Sequence, residues 1–214
     1  MVRGIDSLPP EKVSIAGPAG ELVGTLESPL LDSEAAVLLL HPHPLHGGSR
    51  RNNVVRHGAL GALEAKCAAL RLDLRGAGES DGVHDEGAGE LEDVDIALSW
   101  LGERFPAHRC FIWGFSFGAR VGLDFYLSHP GRSAGFLGVG WPNAIHSWPK
   151  EKDWPRPMAF LAGDKDEFVD QDGMSRVSDE GADFVSISGA GHFFQGDLFQ
   201  VRDFTRGHLS KWLA

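Results

Sequence analysis

The chain has 214 residues, 42% of them hydrophobic, enough to bury one sizeable core, and a single domain over residues 1–214 is the expectation. Lys plus Arg number 20 against 30 Asp plus Glu, and the resulting net charge of −10 argues against nucleic acid or an anionic membrane as a partner. No run approaches the about 18 apolar residues of a spanning helix, and residues 1–7 carry no apolar signal core, so a cytoplasmic location is expected.

In chain order, Val13–Ile15 and Leu22–Leu26 flank Gly17-Pro18-Ala19-Gly20 and read as an opening hairpin. Ala35–Leu40 is a continuous apolar run of the kind buried on both faces of a parallel sheet. Val54–Ala65 reads as a helix and Cys67–Leu74 as a strand. Leu91, Val94, Leu98 and Leu101 then recur at helical spacing, and the acidic stretch from Glu79 to Asp95 reads as solvated surface. Cys110–Trp113 is an apolar, aromatic strand, and Ala119–Leu127 a helix with Pro130 just beyond it. Phe136–Val139, Met158–Ala162 and Phe184–Ile187 follow as strands, and a last helix carries Leu209, Trp212 and Leu213. This alternation predicts an α/β fold, a mainly parallel sheet with helices on both faces. Cys67 and Cys110 both lie in strand-like runs, which predicts buried free thiols rather than a disulfide.

Between the strand Cys110–Trp113 and the helix after it stands Gly114-Phe115-Ser116-Phe117-Gly118. A G-x-S-x-G between strand and helix is a nucleophile elbow, which exposes a serine hydroxyl on a sharp turn. The flanking glycines fit it, because a side chain at either would strike the neighbouring strand or helix.

In such sheets ligands bind beyond the carboxyl ends of the strands, so chemistry is sought just after each strand. Ser116 meets that condition. So does His192, in a glycine-rich loop after the last strand, and it is the expected general base. A buried carboxylate must fix its tautomer, and Asp164 and Asp166 both stand after the preceding strand. Serine, acid, histidine is the chain order expected of this scaffold. An oxyanion hole needs two backbone N–H donors. Phe117, directly after the serine, is one. The other comes from His41-Pro42-His43-Pro44, in which only the two histidines have an N–H to give.

These motifs resemble those of the α/β-hydrolase superfamily, and within it a small, lidless group of bacterial serine hydrolases. The shared features are an H-P-H-P loop (His41 to Pro44), an R-G-x-G-x-S turn (Arg75 to Ser80), a G-F-S-F-G elbow, and a glycine-led H-F-F ending (Gly191 to Phe194). The resemblance spans the chain from its first strand pair to its last helix. It implies a G-x-x-D pattern that begins at Gly163 and selects Asp166 as the acid, and it selects His43 as the second oxyanion donor. It also implies that no cofactor and no metal is needed, and that the substrate is a small acyl compound. Dienelactone-hydrolase-like enzymes are similar in size but carry cysteine where Ser116 stands.

The interval Trp141–Pro157 is too short for a lid domain, so an open site is expected, with Trp141 and Phe193 as candidate substrate contacts. Asp73 and Arg75 are read as braces of their turn. The reaction expected is hydrolysis of a carboxylic ester or thioester through an acyl-Ser116 intermediate. Two rivals are a non-catalytic binding protein of the same fold and a metal-dependent hydrolase. The second would use His41, His43 and His46, a run that departs from H-x-H-x-D-H only where Leu45 replaces the aspartate. Oligomeric state is left open by the sequence.

Overall fold

Strand β3 (Ala35–Leu40) is apolar at all six positions because both of its faces are covered. Ala35, Val37 and Leu39 point into one core layer, and Ala36, Leu38 and Leu40 into the other. Fully burying each such leucine stabilises the fold by about 1.5–3 kcal/mol. The computed structural model that shows this describes residues 7–31, 33, 35–106, 108–150 and 153–214. The expectation for the first six residues lies outside the described ones.

The other elements are β1 (Glu11–Gly17), β2 (Gly20–Glu27), α1 (Asn53–Glu64), β4 (Cys67–Leu72), α2 (Ala88–Arg104), β5 (Arg109–Phe115), α3 (Phe117–Ser128), β6 (Phe136–Val139), β7 (Met158–Gly163), α4 (Ser175–Asp179), β8 (Asp183–Ile187) and α5 (Leu198–Leu213). Eight strands form one sheet in the order β1-β2-β4-β3-β5-β6-β7-β8. The β1–β2 hairpin is antiparallel to itself and to β4, and every pair from β4 onward is parallel. This is the α/β-hydrolase fold, as expected. Helices α1 and α5 pack together on one face, and α2 and α3 on the other. The chain leaves β3 toward β4 and then returns across it to β5. That reversal opens a crevice at the carboxyl ends of β3 and β5, where ligands bind in such sheets.

Two expectations need correction. The acidic stretch is not all solvated: Glu90 and Asp93 are fully buried. They face inward because each meets a built-in partner, His84 for Glu90 and Arg75 for Asp93. Cys110 is only partly buried, whereas Cys67 is buried, and both are free thiols. The short helix α4 carries too little apolar periodicity to announce itself in sequence. No helix among the described residues is long and apolar enough to cross a membrane.

Candidate active site

Ser116 sits at the end of β5 with φ 56° and ψ −117° and serves as the N-cap of α3. A non-glycine residue with positive φ costs roughly 1–3 kcal/mol, held here by the surrounding structure. The glycines on either side permit the turn. A Cβ at Gly114 would stand 2.3 Å from the Gly118 carbonyl oxygen, and one at Gly118 would stand 2.6 Å from the Leu40 carbonyl. The elbow is therefore wedged between its own helix and the end of β3. The Ser116 N–H donates to the Val139 carbonyl of β6 at 2.9 Å, which fixes the turn from the other side.

His192 reaches over the elbow from the loop between β8 and α5. Its Nε2 lies 2.9 Å from Ser116 Oγ and its Nδ1 lies 2.8 Å from Asp166 Oδ2. An ionised carboxylate can only accept, so Nδ1 carries the ring proton and Nε2 is the acceptor facing the serine hydroxyl. The other oxygen of Asp166 accepts the Phe168 N–H at 2.9 Å, which locks the carboxylate in the turn after β7. Asp166 and His192 are both buried. The imidazole is also packed by Phe115 and Phe168, at ring distances of 4.9 and 4.7 Å.

Asp164 does not reach His192. Its Oδ1 accepts the Gly189 N–H at 2.7 Å and its own N–H donates to the Ile187 carbonyl at 3.0 Å, so it ties the turn after β7 to the loop that carries the histidine. Spacing alone could not separate the two aspartates. The bond partners do.

Phe117 opens α3, so its N–H has no acceptor one turn back and lies at the positive end of the helix. His43 faces it, with the two rings 5.0 Å apart. Among the described residues neither the Phe117 nor the His43 N–H donates to a protein acceptor. Both are thus available to a ligand oxygen. The His43 ring accepts the Leu45 N–H at 3.3 Å, which holds the loop in a single 3₁₀ turn, Pro44–His46. Burial first, then the neighbouring His84 and His46, push the His43 ring below the usual histidine pKa.

The run His41, His43, His46 does not form a metal set, which corrects the metal-dependent alternative. His41 is fully buried, its Nδ1 lies 2.6 Å from the Pro42 carbonyl, and its Nε2 accepts the Leu74 N–H at 3.0 Å. Both ring nitrogens are spent tying the loop after β3 to the loop after β4. Leu45, in the place of the missing aspartate, points to solvent.

The aromatic candidates divide. Phe193 is 50% exposed beside His192, with the rings 5.2 Å apart, whereas Phe194 is fully buried in the core. Trp141 is only 1% exposed and stacks on Trp148 at 4.0 Å, and Trp148 and Trp154 in turn pack on Phe160. The tryptophans anchor their loop, and Trp141 presents no open face to a substrate. Asp73 and Arg75 brace their turn as expected. Asp73 accepts the Arg50 N–H at 2.6 Å and the Glu79 N–H at 3.1 Å, and pairs with the Arg50 guanidinium.

Sequence reasoning missed Gly140, just after β6. It has φ +55°, and a Cβ there would stand 3.2 Å from His192 Cε1. Its signal was a glycine directly after a strand. Two surface hollows, of about 190 Å³ beside Val185 and Phe204 and about 530 Å³ beside Pro18 and Leu91, are lined by no member of the Ser116 cluster. Ser116 itself is half-buried and open to solvent.

The chain is similar to an uncharacterized protein of Rickettsia prowazekii, with 32% identity over 202 residues that cover 89% of this chain and 83% of that one. Among solved structures it is similar to an α/β serine hydrolase homologue from Coxiella burnetii, with 30% identity and a TM-score of 0.86 over 93% of this chain and 97% of that one. It shares its fold with an α/β serine hydrolase without lid from Xanthomonas campestris, at 24% identity and a TM-score of 0.86 over 96% of both chains. No protein-family model matches.

Proposed function

Because the chain belongs to the α/β serine hydrolase family, we propose that it cleaves a carboxylic ester or thioester through a covalent acyl-Ser116 intermediate. The observation that carries this reading is the chain of two hydrogen bonds, Asp166 to His192 at 2.8 Å and His192 to Ser116 at 2.9 Å. As the hydroxyl oxygen attacks the acyl carbon, its proton passes to His192 Nε2 and the carbonyl electrons move onto oxygen. Asp166 stabilises the imidazolium without taking a proton. The developing oxyanion lies against the Phe117 and His43 N–H groups, and donors of this kind are each worth about 2.7–4 kcal/mol in the transition state.

Collapse of that intermediate breaks the bond to the alcohol or thiol, which leaves with the proton from His192. Water then enters and attacks the acyl carbon while giving a proton to the same nitrogen. The bond to Ser116 Oγ breaks as that proton passes back to the serine, releasing the acid. Acyl carbons bearing alkoxide or thiolate leaving groups both suit this machinery. The short Trp141–Pro157 interval supports an unlidded site, suited to a small acyl group or to the exposed end of a larger molecule. The exposure of Phe193 beside the base supports assigning it to contact with an apolar acyl group. A fluorophosphonate probe tests the reading directly. It should label the wild-type protein and fail to label Ser116→Ala, and equal labelling of the two would remove the serine from the mechanism.

A further inference from the structure

We propose that His43, His84 and Glu86 form a binding site for one divalent transition-metal ion of the zinc class. Each residue offers one ligand atom, a ring nitrogen or a carboxylate oxygen, and these atoms lie within 4.8 Å of one another. His43 comes from the loop after β3, and His84 and Glu86 from the loop between β4 and α2. The spacing of the histidine run therefore pointed to the wrong partners for His43.

The orientation of His84 carries the inference. Its side chain is 4% exposed, and its Nδ1 lies 2.6 Å from Oε1 of the fully buried Glu90. Glu90 also accepts the N–H groups of Asp85 at 3.0 Å and Gly87 at 2.8 Å. With the His84 ring, these bonds engage both oxygens of the buried carboxylate and fix its orientation. A carboxylate only accepts, so the neutral His84 ring keeps its proton on Nδ1 and leaves a lone pair on Nε2. That Nε2 is buried and has no hydrogen-bond partner, and Glu86 Oε1 stands 3.8 Å from it. A histidine oriented by a buried carboxylate, with its far nitrogen free and facing further ligands, is the way metal-binding imidazoles are held.

The neighbours are compatible with a cation. The His43 and His84 rings are 4.8 Å apart, close enough for one nitrogen of each to reach a single ion. The bond from the Leu45 N–H to His43 Nδ1 is long, at 3.3 Å, and is readily given up if Nε2 takes the ion. Arg120 opposes the ion, since its guanidinium lies 5.2 Å over the Phe117 ring and donates to the Glu86 carbonyl. Glu86 and Glu90 together outweigh that one charge. Two imidazoles and one carboxylate match zinc, cobalt or nickel rather than magnesium or calcium, with water free to complete a tetrahedral set.

The test is calorimetric titration of the metal-stripped protein with zinc, with the visible spectrum of added cobalt as a second readout. Wild type should bind one equivalent, and cobalt should give the intense bands of a low-coordinate site. His84→Ala should abolish the site. Glu86→Gln alters an exposed side chain that the fold does not need, and should weaken binding about tenfold or more. His57→Ala, on α1, should leave binding unchanged. Absence of binding to wild type would overturn the proposal. Equal affinity in wild type and Glu86→Gln would overturn it as well.

Discussion

Arg75 and Asp93 form a two-pronged ion pair, in which Nη2 and Nε donate to Oδ1 at 2.8 and 3.0 Å and the Arg75 N–H donates to Oδ2 at 2.8 Å. The pair stitches the turn after β4 to helix α2 and fixes the base of the loop that carries His84. Asp93 is fully buried, so removing it would leave the guanidinium desolvated with only the exposed Glu92 as a counter-charge. Asp93→Ala should cost about 3–5 kcal/mol in urea unfolding. Glu92, which meets the same guanidinium from an exposed position, should cost at most about 1 kcal/mol when replaced by alanine. Equal costs would show that burial of the pair is not what matters.

His41 gives stability a dependence on pH. Burial pushes its pKa below the ordinary value of 6.5, against the opposing pull of the Pro42 carbonyl and the charge of Asp73. Between the folded and unfolded pKa values only the unfolded chain takes up the proton. The stabilisation is therefore complete above the unfolded value and is lost as pH falls from it toward the folded one, at up to about 1.4 kcal/mol per pH unit. Thermal melts from about pH 8 to about pH 5 should show a falling Tm in wild type. The slope should be shallower in His41→Gln, which has no proton to gain. Parallel slopes would assign the acid sensitivity elsewhere.

Ester hydrolysis separates the two aspartates. Asp166→Asn should preserve the packing but let the imidazole settle in the wrong tautomer, lowering kcat by about four orders of magnitude. Asp164→Asn keeps an oxygen for the Gly189 N–H and should change kcat by only a few fold. A reversal of these effects in an assay on a p-nitrophenyl ester would move the acid to Asp164.

The sheet and much of the site were legible because their signals are local. Six apolar residues in β3 announce a doubly covered strand, and Gly114 and Gly118 mark a turn that admits no side chain. The misreadings came from long-range pairing. Glu90 and Asp93 have the composition of a solvated face, and only the fold brings His84 and Arg75 to neutralise them inside. His41 stands in a run that suggests a metal, yet its Nε2 is taken by Leu74, 33 residues away. Trp141 lies among prolines after a strand, and only the stacking of Trp148 shows that its ring faces inward.

Gly140 tests how tightly the base is held. At φ +55° a side chain is disfavoured by roughly 1–2 kcal/mol. A Cβ would also stand 3.2 Å from His192 Cε1, 3.3 Å from Nδ1 and 3.2 Å from Phe115 Cε2. The imidazole has little room to retreat, because Asp166 holds one nitrogen, Ser116 faces the other, and Phe168 meets the ring edge-on at 4.7 Å. Contacts this tight require a displacement of a few tenths of an ångström. An error of 1 Å in a reacting group can cost about a hundredfold. Gly140→Ala should therefore lower kcat by about tenfold while leaving KM nearly unchanged, because the substituted position faces the base and its Phe115 neighbour. The folded fraction, checked by circular dichroism, should stay close to complete. A variant that melts earlier but turns over at the wild-type rate would mean that Gly140 serves the backbone alone and that the histidine tolerates the added methyl group.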